Sequence, residues 1–146
     1  MKISTKGRYA IRLMIDIAEH EKNGNVSIKD VAKRQEISLK YLEQIVNVLS
    51  KAGYLRSRRG SQGGYQMTKA PEEYTVAEIL RVTEGGFAPV ACLEGEENSC
   101  PKRSLCSTIR MWEGLYKVVD DYLSGITIAD LLKEKNSASG DFGYYI

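Results

Sequence analysis

The sequence predicts a mainly α-helical protein with a small β-hairpin wing, that is, a winged helix-turn-helix domain joined to a long dimerisation helix. Two short helical segments separated by a tight turn are followed by a glycine-rich basic hairpin, an order typical of winged helix-turn-helix domains. Farther along, about residues 105–123 repeat apolar side chains at alternating spacings of three and four, as coiled-coil helices do.

These features divide the 146-residue chain into three parts. We expect residues 1–70 to form the winged domain and residues 71–134 to hold a cysteine loop and the dimerisation helix. Residues 135–146 are expected to be a flexible C-terminal tail.

The first helix is predicted from Thr5, as its N-cap, to about Glu21, and it is apolar on more than one face, which indicates burial. Asn23, Gly24 and Asn25 interrupt it. Ser27 opens a second, short helix that ends near Gln35.

Ser38 is the predicted N-cap of a third helix, which Gly53 closes. Its apolar residues recur at three- and four-residue spacing, which defines an inner face. The opposite face is expected to present Lys40, Tyr41, Gln44, Asn47 and Lys51. Glu43 is unusual on such a helix: it can accept a hydrogen bond from cytosine, repel a wrong base, or hold a neighbouring basic side chain.

A hairpin is predicted from Tyr54 to Met67, with two strands around a basic, glycine-rich loop. Its cations are within reach of phosphates or of the minor groove, and its glycines permit positive φ and close approach to a duplex. The residues concerned are Arg56, Arg58, Arg59, Gly60, Gln62, Gly63 and Gly64. Tyr54 and Tyr65 are expected to pack the hairpin on the helices.

Charge supports a polyanionic partner for the first half of the chain. Residues 1–70 carry 14 Lys and Arg against 6 Asp and Glu, whereas residues 71–146 carry 7 against 13, so the net charge of +2 hides a basic and an acidic half. Together with the capped helix and the arginine-glycine hairpin, this indicates DNA binding.

After a capping box at Thr75, a further helix is expected to stop at Gly85. An irregular loop follows, and it holds all three cysteines. The long helix is then predicted from about Leu105 to Leu123, with a seam formed by Ile109, Trp112, Tyr116, Val119 and Leu123. Thr127 is expected to cap a short last helix from Ile128 to Leu132.

The cysteines Cys92, Cys100 and Cys106 are spaced C-x7-C-x5-C. An odd number of thiols in a chain without a secretion signal argues against disulfides and favours zinc or an iron–sulfur cluster. Zinc sites usually contain C-x2-C pairs and a fourth Cys or His, which this loop lacks. Three unmetallated thiols are the remaining alternative. His20 fits a cation at the end of the first helix.

Three stretches resemble the Rrf-two family of bacterial regulators, which includes IscR-like, NsrR-like and CymR-like members. They are the opening MKISTKGRYA, the helix start ISLKYLEQI and the wing RRGSQGGY, and the resemblance extends to about residue 134. It implies a homodimer with crossed long helices that binds a palindromic operator in double-stranded DNA. It places DNA contacts at Ser38, at the polar residues after it and in the wing, with Lys2, Thr5 and Arg8 near phosphates.

The resemblance also implies that Cys92, Cys100 and Cys106 hold an iron–sulfur cluster, with 2Fe–2S favoured over 4Fe–4S. The fourth ligand is not identified. IscR-like chains place a histidine at the third position after the third cysteine, where this chain has Ile109, which cannot ligate. NsrR-like chains use an aspartate near the start of the partner chain, and Arg8 stands at the matching position here.

CymR-like members end in an aromatic-isoleucine sequence and act as repressors together with cysteine synthase, generally without loop cysteines. This chain ends in Tyr144, Tyr145 and Ile146. An alternative to cluster sensing is therefore a CymR-like repressor of cysteine or sulfur metabolism whose Ile146 carboxylate enters an enzyme pocket.

An enzyme is not expected, because no nucleophile with a partnering base and no carboxylate pair stands at a telling spacing. Since neither a secretion signal nor a membrane span is apparent, the expected compartment is the cytoplasm.

Overall fold

The computed structural model describes the backbone of residues 1–142 and the side chains of residues 1–138. Six α-helices and one two-stranded sheet are described there, with the strands between the third and fourth α-helices. In chain order they are α1 (Thr5–His20), α2 (Ile28–Gln35), α3 (Leu39–Lys51), β1 (Leu55–Arg58), β2 (Gly64–Met67), α4 (Val76–Glu84), α5 (Ile109–Ser124) and α6 (Ile128–Phe142). The predicted contact through Ile146 lies outside the described residues.

Helix α1 is at the centre of the main hydrophobic core, and its buried residues occupy several faces, as the sequence predicts. The predicted N-cap is wrong by one residue. Ser4 has extended backbone angles and its Oγ accepts a hydrogen bond from the Gly7 N–H at 3.3 Å, whereas Thr5 is already helical.

The turn between α2 and α3 is three residues long. Glu36 takes left-handed backbone angles (φ 56°), Ile37 is buried beneath the turn, and Ser38 caps α3. Gly53 follows the end of α3 with φ 81°, which confirms its predicted role at the helix end. Ser27 occupies the N-cap position of α2, but its hydroxyl makes no capping hydrogen bond.

Strands β1 and β2 pair antiparallel, with Leu55 opposite Met67 and Arg58 opposite Gly64, so the hairpin is confirmed. Val26 extends the pairing on the other side of β2, because its N–H and C=O bond the backbone of Tyr65 at 2.9 and 2.8 Å. Tyr54 and Tyr65 pack against the main core, as expected.

Helix α4 begins with the predicted capping box of Thr75 and Glu78 and ends at Gly85, which is left-handed. The cysteine loop that follows contains two short 3-10 turns. Helix α5 starts at Ile109 and not at Leu105, because residues 103–105 form a 3-10 turn and Cys106 is extended.

The last helix is longer than predicted: α6 runs to Phe142 and does not stop at Leu132. A reciprocal cap between Thr127 and Asp130 starts it, and Ile128 is fully buried. An ion pair of Lys135 with Glu19 holds its middle against α1. The helix therefore extends into the segment for which the sequence predicts a flexible tail.

The predicted seam of α5 does not form its exposed face. Tyr116, Val119 and Leu123 pack against the apolar residues of α4 in the same chain, and Tyr116 meets Phe87 edge-on. The neighbouring stripe is exposed instead, also at spacings of four and three, and its residues are 39–69% exposed. It consists of Met111, Leu115, Val118 and Tyr122.

An ion pair between a buried carboxylate and a partly exposed arginine joins α2 to α1. The carboxylate of Asp16 is completely buried and accepts hydrogen bonds from the Arg34 guanidinium, the shortest at 2.7 Å, and from the Gln35 amide at 2.9 Å. Burial by itself would raise the pKa of Asp16, but the hydrogen bonds from Arg34 and Gln35 outweigh it and lower the pKa. Arg12 donates to the backbone carbonyl of Gln35 at 2.5 Å and so closes the end of α2.

We expect Asp16→Asn to destabilise the fold by about 2–3 kcal/mol. This is less than the cost of breaking a fully buried ion pair, because Arg34 keeps some solvent contact. Since the folded pKa of Asp16 lies below its ordinary value of 3.8, the carboxylate stabilises the fold above that pH and ceases to do so as the pH falls through the folded pKa. Urea unfolding from pH 2 to 7 should therefore show a shallower acid dependence in the variant.

The matched control is Asp30→Asn, an acid-to-amide change at an exposed position of α2. Equal losses of stability in the two variants would contradict a special role for the buried carboxylate.

Candidate nucleic-acid interface

The N-terminus of α3 presents polar side chains to solvent. The Ser38 Oγ accepts a hydrogen bond from the Tyr41 N–H at 3.2 Å, which confirms the predicted cap. Lys40, Glu43 and Gln44 are exposed, whereas Leu42 between them is fully buried. One face of α3 is thus held by the core while the other carries donors, acceptors and a cation at a spacing that fits a major groove.

Tyr41 differs from the expectation of a freely exposed side chain. It is half-buried, and its ring meets the edge of the Tyr9 ring of α1 with centroids 5.8 Å apart. The Arg12 guanidinium lies over the ring of Tyr9, 5.1 Å from the ring centre. Aromatic packing therefore fixes the first turn of α3 relative to α1.

The hairpin loop is exposed at its tip, where Arg58, Arg59, Gly60 and Gln62 lie. Gly60 has φ 115° and Gly64 has φ 151°, so both use the freedom predicted for them. Gly63 is required for a different reason: a Cβ there would lie 2.4 Å from the backbone oxygen of Arg58.

Two side chains that sequence reasoning missed hold this hairpin in place. The Glu21 carboxylate accepts the N–H of Met67 at 2.9 Å, and the Asn25 amide donates to the Gln62 carbonyl at 3.1 Å. A Cβ on Gly64 would lie 2.5 Å from the Val26 oxygen, so the segment after α1 packs directly on the wing. Nothing in the local sequence identifies these backbone partners, because they are more than thirty residues distant.

The start of the chain adds a third exposed polar segment. Lys2, Thr5 and Arg8 are all exposed, and Arg8 donates to the Thr5 hydroxyl at 3.1 Å. Because this segment leads into the first turn of α1, it combines cations with the positive end of a helix dipole.

The Asp16 network is the second feature that sequence reasoning missed. Its signal is visible in hindsight, because Asp16 stands between Ile15 and Ile17 in a helix that is apolar on several faces. A carboxylate in such a position requires a donor, since an unpaired buried charge costs several kcal/mol.

The three cysteines lie on one segment but in different local settings. Cys92 is in a 3-10 turn, the N–H of Cys100 bonds the Asn98 side chain at 2.9 Å, and the Cys106 thiol is exposed 3.5 Å from the Thr108 hydroxyl. Hydrogen bonds from the side chain and the backbone of Thr108 lower the pKa of Cys106, which favours its thiolate.

Within the described residues no group of three or more His, Cys, Asp or Glu side chains stands close enough to hold a metal ion. The structure therefore does not bring the three predicted ligands together. The chemistry of the three side chains still suits a cluster, because cysteine thiolates are the ligands of iron–sulfur centres.

Comparison with known proteins agrees with this architecture. The model of the Rrf2 family, described as an iron-dependent transcriptional regulator, matches residues 3–134. The protein named rrf2 from Nitratidesulfovibrio vulgaris is 42% identical over 134 residues, covering 92% of this chain and 89% of its own. The regulator CymR of Bacillus subtilis is 38% identical over 146 residues and covers both chains completely. The solved structure of T. potens IscR, 39% identical, superposes with a TM-score of 0.75 over 94% of this chain and 90% of its own.

The chain belongs to the Rrf2 family of winged-helix transcriptional regulators. It is a DNA-binding regulator similar to IscR and CymR, and the proteins it matches are regulators and not enzymes. These matches confirm the resemblance to the family that the sequence indicates. Among residues 1–142, no helix combines the length and the apolar character that crossing a bilayer requires.

Proposed function

We propose that this protein is a homodimeric, cytoplasmic regulator that binds a palindromic operator through α3, the wing and the N-terminal segment, and that responds to iron–sulfur or redox status through its cysteine loop. The proposal of DNA binding rests on one observation: three exposed polar segments lie in the basic half of the chain. Tyr9 and Tyr41 join α3 to α1, and the Glu21 carboxylate at the end of α1 binds the wing. The third segment is the start of α1 itself.

In this proposal α3 enters the major groove, where Ser38, Lys40, Tyr41, Glu43 and Gln44 contact bases or flanking phosphates. The wing residues Arg58, Arg59, Gly60, Gln62, Gly63 and Gly64 follow the adjacent backbone or minor groove. Lys2, Thr5 and Arg8 contact phosphates and supply affinity without sequence information.

Truncating the wing arginines should lower both the affinity for DNA and the dependence of that affinity on salt concentration. For Arg58→Ala/Arg59→Ala, loss of two phosphate contacts in each subunit should reduce the slope of log Kd against log salt by about 3–4. Fluorescence anisotropy with a duplex selected from a random pool by the wild-type protein measures both quantities.

The control is Arg103→Ala/Arg110→Ala, which removes the same charge from exposed arginines outside residues 1–70. A slope that changes as much in the control as in the wing variant would show that overall charge, and not wing contact, determines the affinity.

The exposed stripe of α5, consisting of Met111, Leu115, Val118 and Tyr122, is the proposed dimer surface. Its four-three-four spacing allows the helices of two copies to pack, and burying it would remove large apolar side chains from water. Dimerisation pairs two α3 helices, which is the arrangement that a palindromic site requires.

Val118→Glu should raise the dimer dissociation constant by about a hundredfold, because a carboxylate would be buried without a partner. Sedimentation over a range of concentrations measures this. Lys117→Glu introduces the same group beside the stripe and should leave the protein dimeric; a wild-type protein that is monomeric throughout would contradict the proposed surface.

The cysteine loop is the proposed sensor. Cys92, Cys100 and Cys106 would supply the thiolate ligands of a cluster whose fourth ligand is not assigned, and 2Fe–2S is the proposed type. Such a cluster exchanges electrons or is lost on oxidation, which makes it responsive to the redox state. Since the loop directly joins α4 to α5, its ordering would alter the relation between the winged domain and the dimer helix.

Anaerobically purified protein is expected to contain iron and sulfide and to absorb in the visible range, and replacing all three cysteines with alanine should abolish both signals. Operator affinity should then differ between the loaded wild-type protein and the triple variant. Equal affinities would refute regulation through the loop. Zinc in place of iron in the purified protein would refute the proposed iron–sulfur cluster.

A second candidate is a CymR-like repressor of cysteine or sulfur metabolism that acts without a cluster, together with cysteine synthase. Its support is the similarity to CymR along the entire length of both chains, which includes the C-terminus. Metal-free protein with full operator affinity would favour it, especially if cysteine synthase bound the intact chain but not a chain lacking Ile146.

A further inference from the structure

We infer that Glu84, a residue outside the three DNA-contacting segments, is a positioning residue for DNA binding. It holds the N-terminus of α1, and with it Lys2, Thr5 and Arg8, in the arrangement that meets the DNA backbone. The inference rests on the proposed contacts of those three residues and adds the group that places them.

The carboxylate of Glu84 binds the cap of α1 directly. Its Oε1 accepts two hydrogen bonds from Ser4, one from the backbone N–H at 3.1 Å and one from the hydroxyl at 2.5 Å. The same hydroxyl accepts the N–H of Gly7 at 3.3 Å. Glu84, Ser4 and Gly7 therefore form a continuous hydrogen-bonded chain from the last residue of α4 to the first turn of α1.

The carboxylate of Glu84 lies very close to the backbone of α1 at Gly7. Gly7 is buried, and a Cβ built on it would lie 2.2 Å from the Glu84 Oε1 and 3.0 Å from Leu80. A glycine in the first turn of a helix is unfavourable by itself, so its presence here is explained by the close approach of the carboxylate. A negative charge at this end of α1 is also favourable to the helix dipole.

Glu84 stands at the point where the cysteine loop leaves the core. It is followed by Gly85 and Gly86 with φ 72° and 120°, and then by Phe87, which packs on Tyr116 of α5. Two hydrogen bonds therefore connect Ser4, just before α1, to Glu84 at the base of the loop. A change in the backbone at this base would move the carboxylate and, through Ser4, the residues on either side of it.

The test compares Glu84→Ala with Glu84→Gln, which remove the same charge. The amide oxygen of glutamine can accept both hydrogen bonds from Ser4, so Glu84→Gln should bind the selected duplex within about twofold of wild type. Glu84→Ala should bind about tenfold more weakly, and the salt slope should fall by about 2–4, because Lys2 and Arg8 of each subunit lose their phosphates.

Gly7→Ala reaches the same carboxylate without altering any charge. Its Cβ should displace the flexible end of Glu84 from Ser4 and reproduce the reduced salt slope of Glu84→Ala, while alanine raises the helix propensity of α1. Adding Lys2→Ala/Arg8→Ala to Glu84→Ala should cause little further loss, since the contacts are already absent.

A folded Glu84→Ala protein with the wild-type salt slope would overturn the inference, and so would equal losses in Glu84→Ala and Glu84→Gln. If Glu84→Ala does not fold, a wild-type slope in Gly7→Ala decides against it. A wild-type protein that binds no duplex at low salt would instead overturn the proposed function, so the two failures are distinguishable.

Discussion

The buried carboxylate of Asp16 is the interaction on which the DNA-binding unit depends. It is completely removed from solvent and bound by Arg34 and Gln35, which occupy the last turn of α2. The end of α2 determines where the three-residue turn begins, and the turn determines where Ser38 starts α3. A directional, charge-assisted contact is suited to this purpose, because apolar packing alone would permit α2 to slide along α1.

Helix α1 serves as the common support for the interface. It meets α3 through Tyr9 and Tyr41, the wing through Glu21, and α4 through Ser4 and Glu84. The polar segments proposed to contact DNA are distant in sequence, yet each is attached to this helix or to its ends. This explains why α1 is buried on several faces although it contributes only its exposed N-terminal residues to the proposed interface.

Helix α5 has two apolar faces with different roles. Tyr116, Val119 and Leu123 attach it to α4, and an ion pair between Arg81 and Asp120 adds to this contact. The stripe of Met111, Leu115, Val118 and Tyr122 is exposed and forms the proposed dimer surface. Because the first face packs on α4 within the chain, α4 is in contact with the helix that carries the proposed dimer surface, and the cysteine loop connects the two helices directly.

The sequence by itself determined the order of the elements, the caps at Ser38 and Thr75, the hairpin, the separation of charge and the family, because capping, turn formation and periodicity depend on neighbouring residues. Tertiary structure decided the remainder. Periodicity identifies apolar stripes on α5 but not which of them packs on α4, and the local pattern after Leu132 does not reveal that Lys135 is held by Glu19. The partners of Asp16, Met67 and Ser4 are likewise unpredictable locally, since each contact joins residues 18 to 80 positions apart that meet only once the helices have packed.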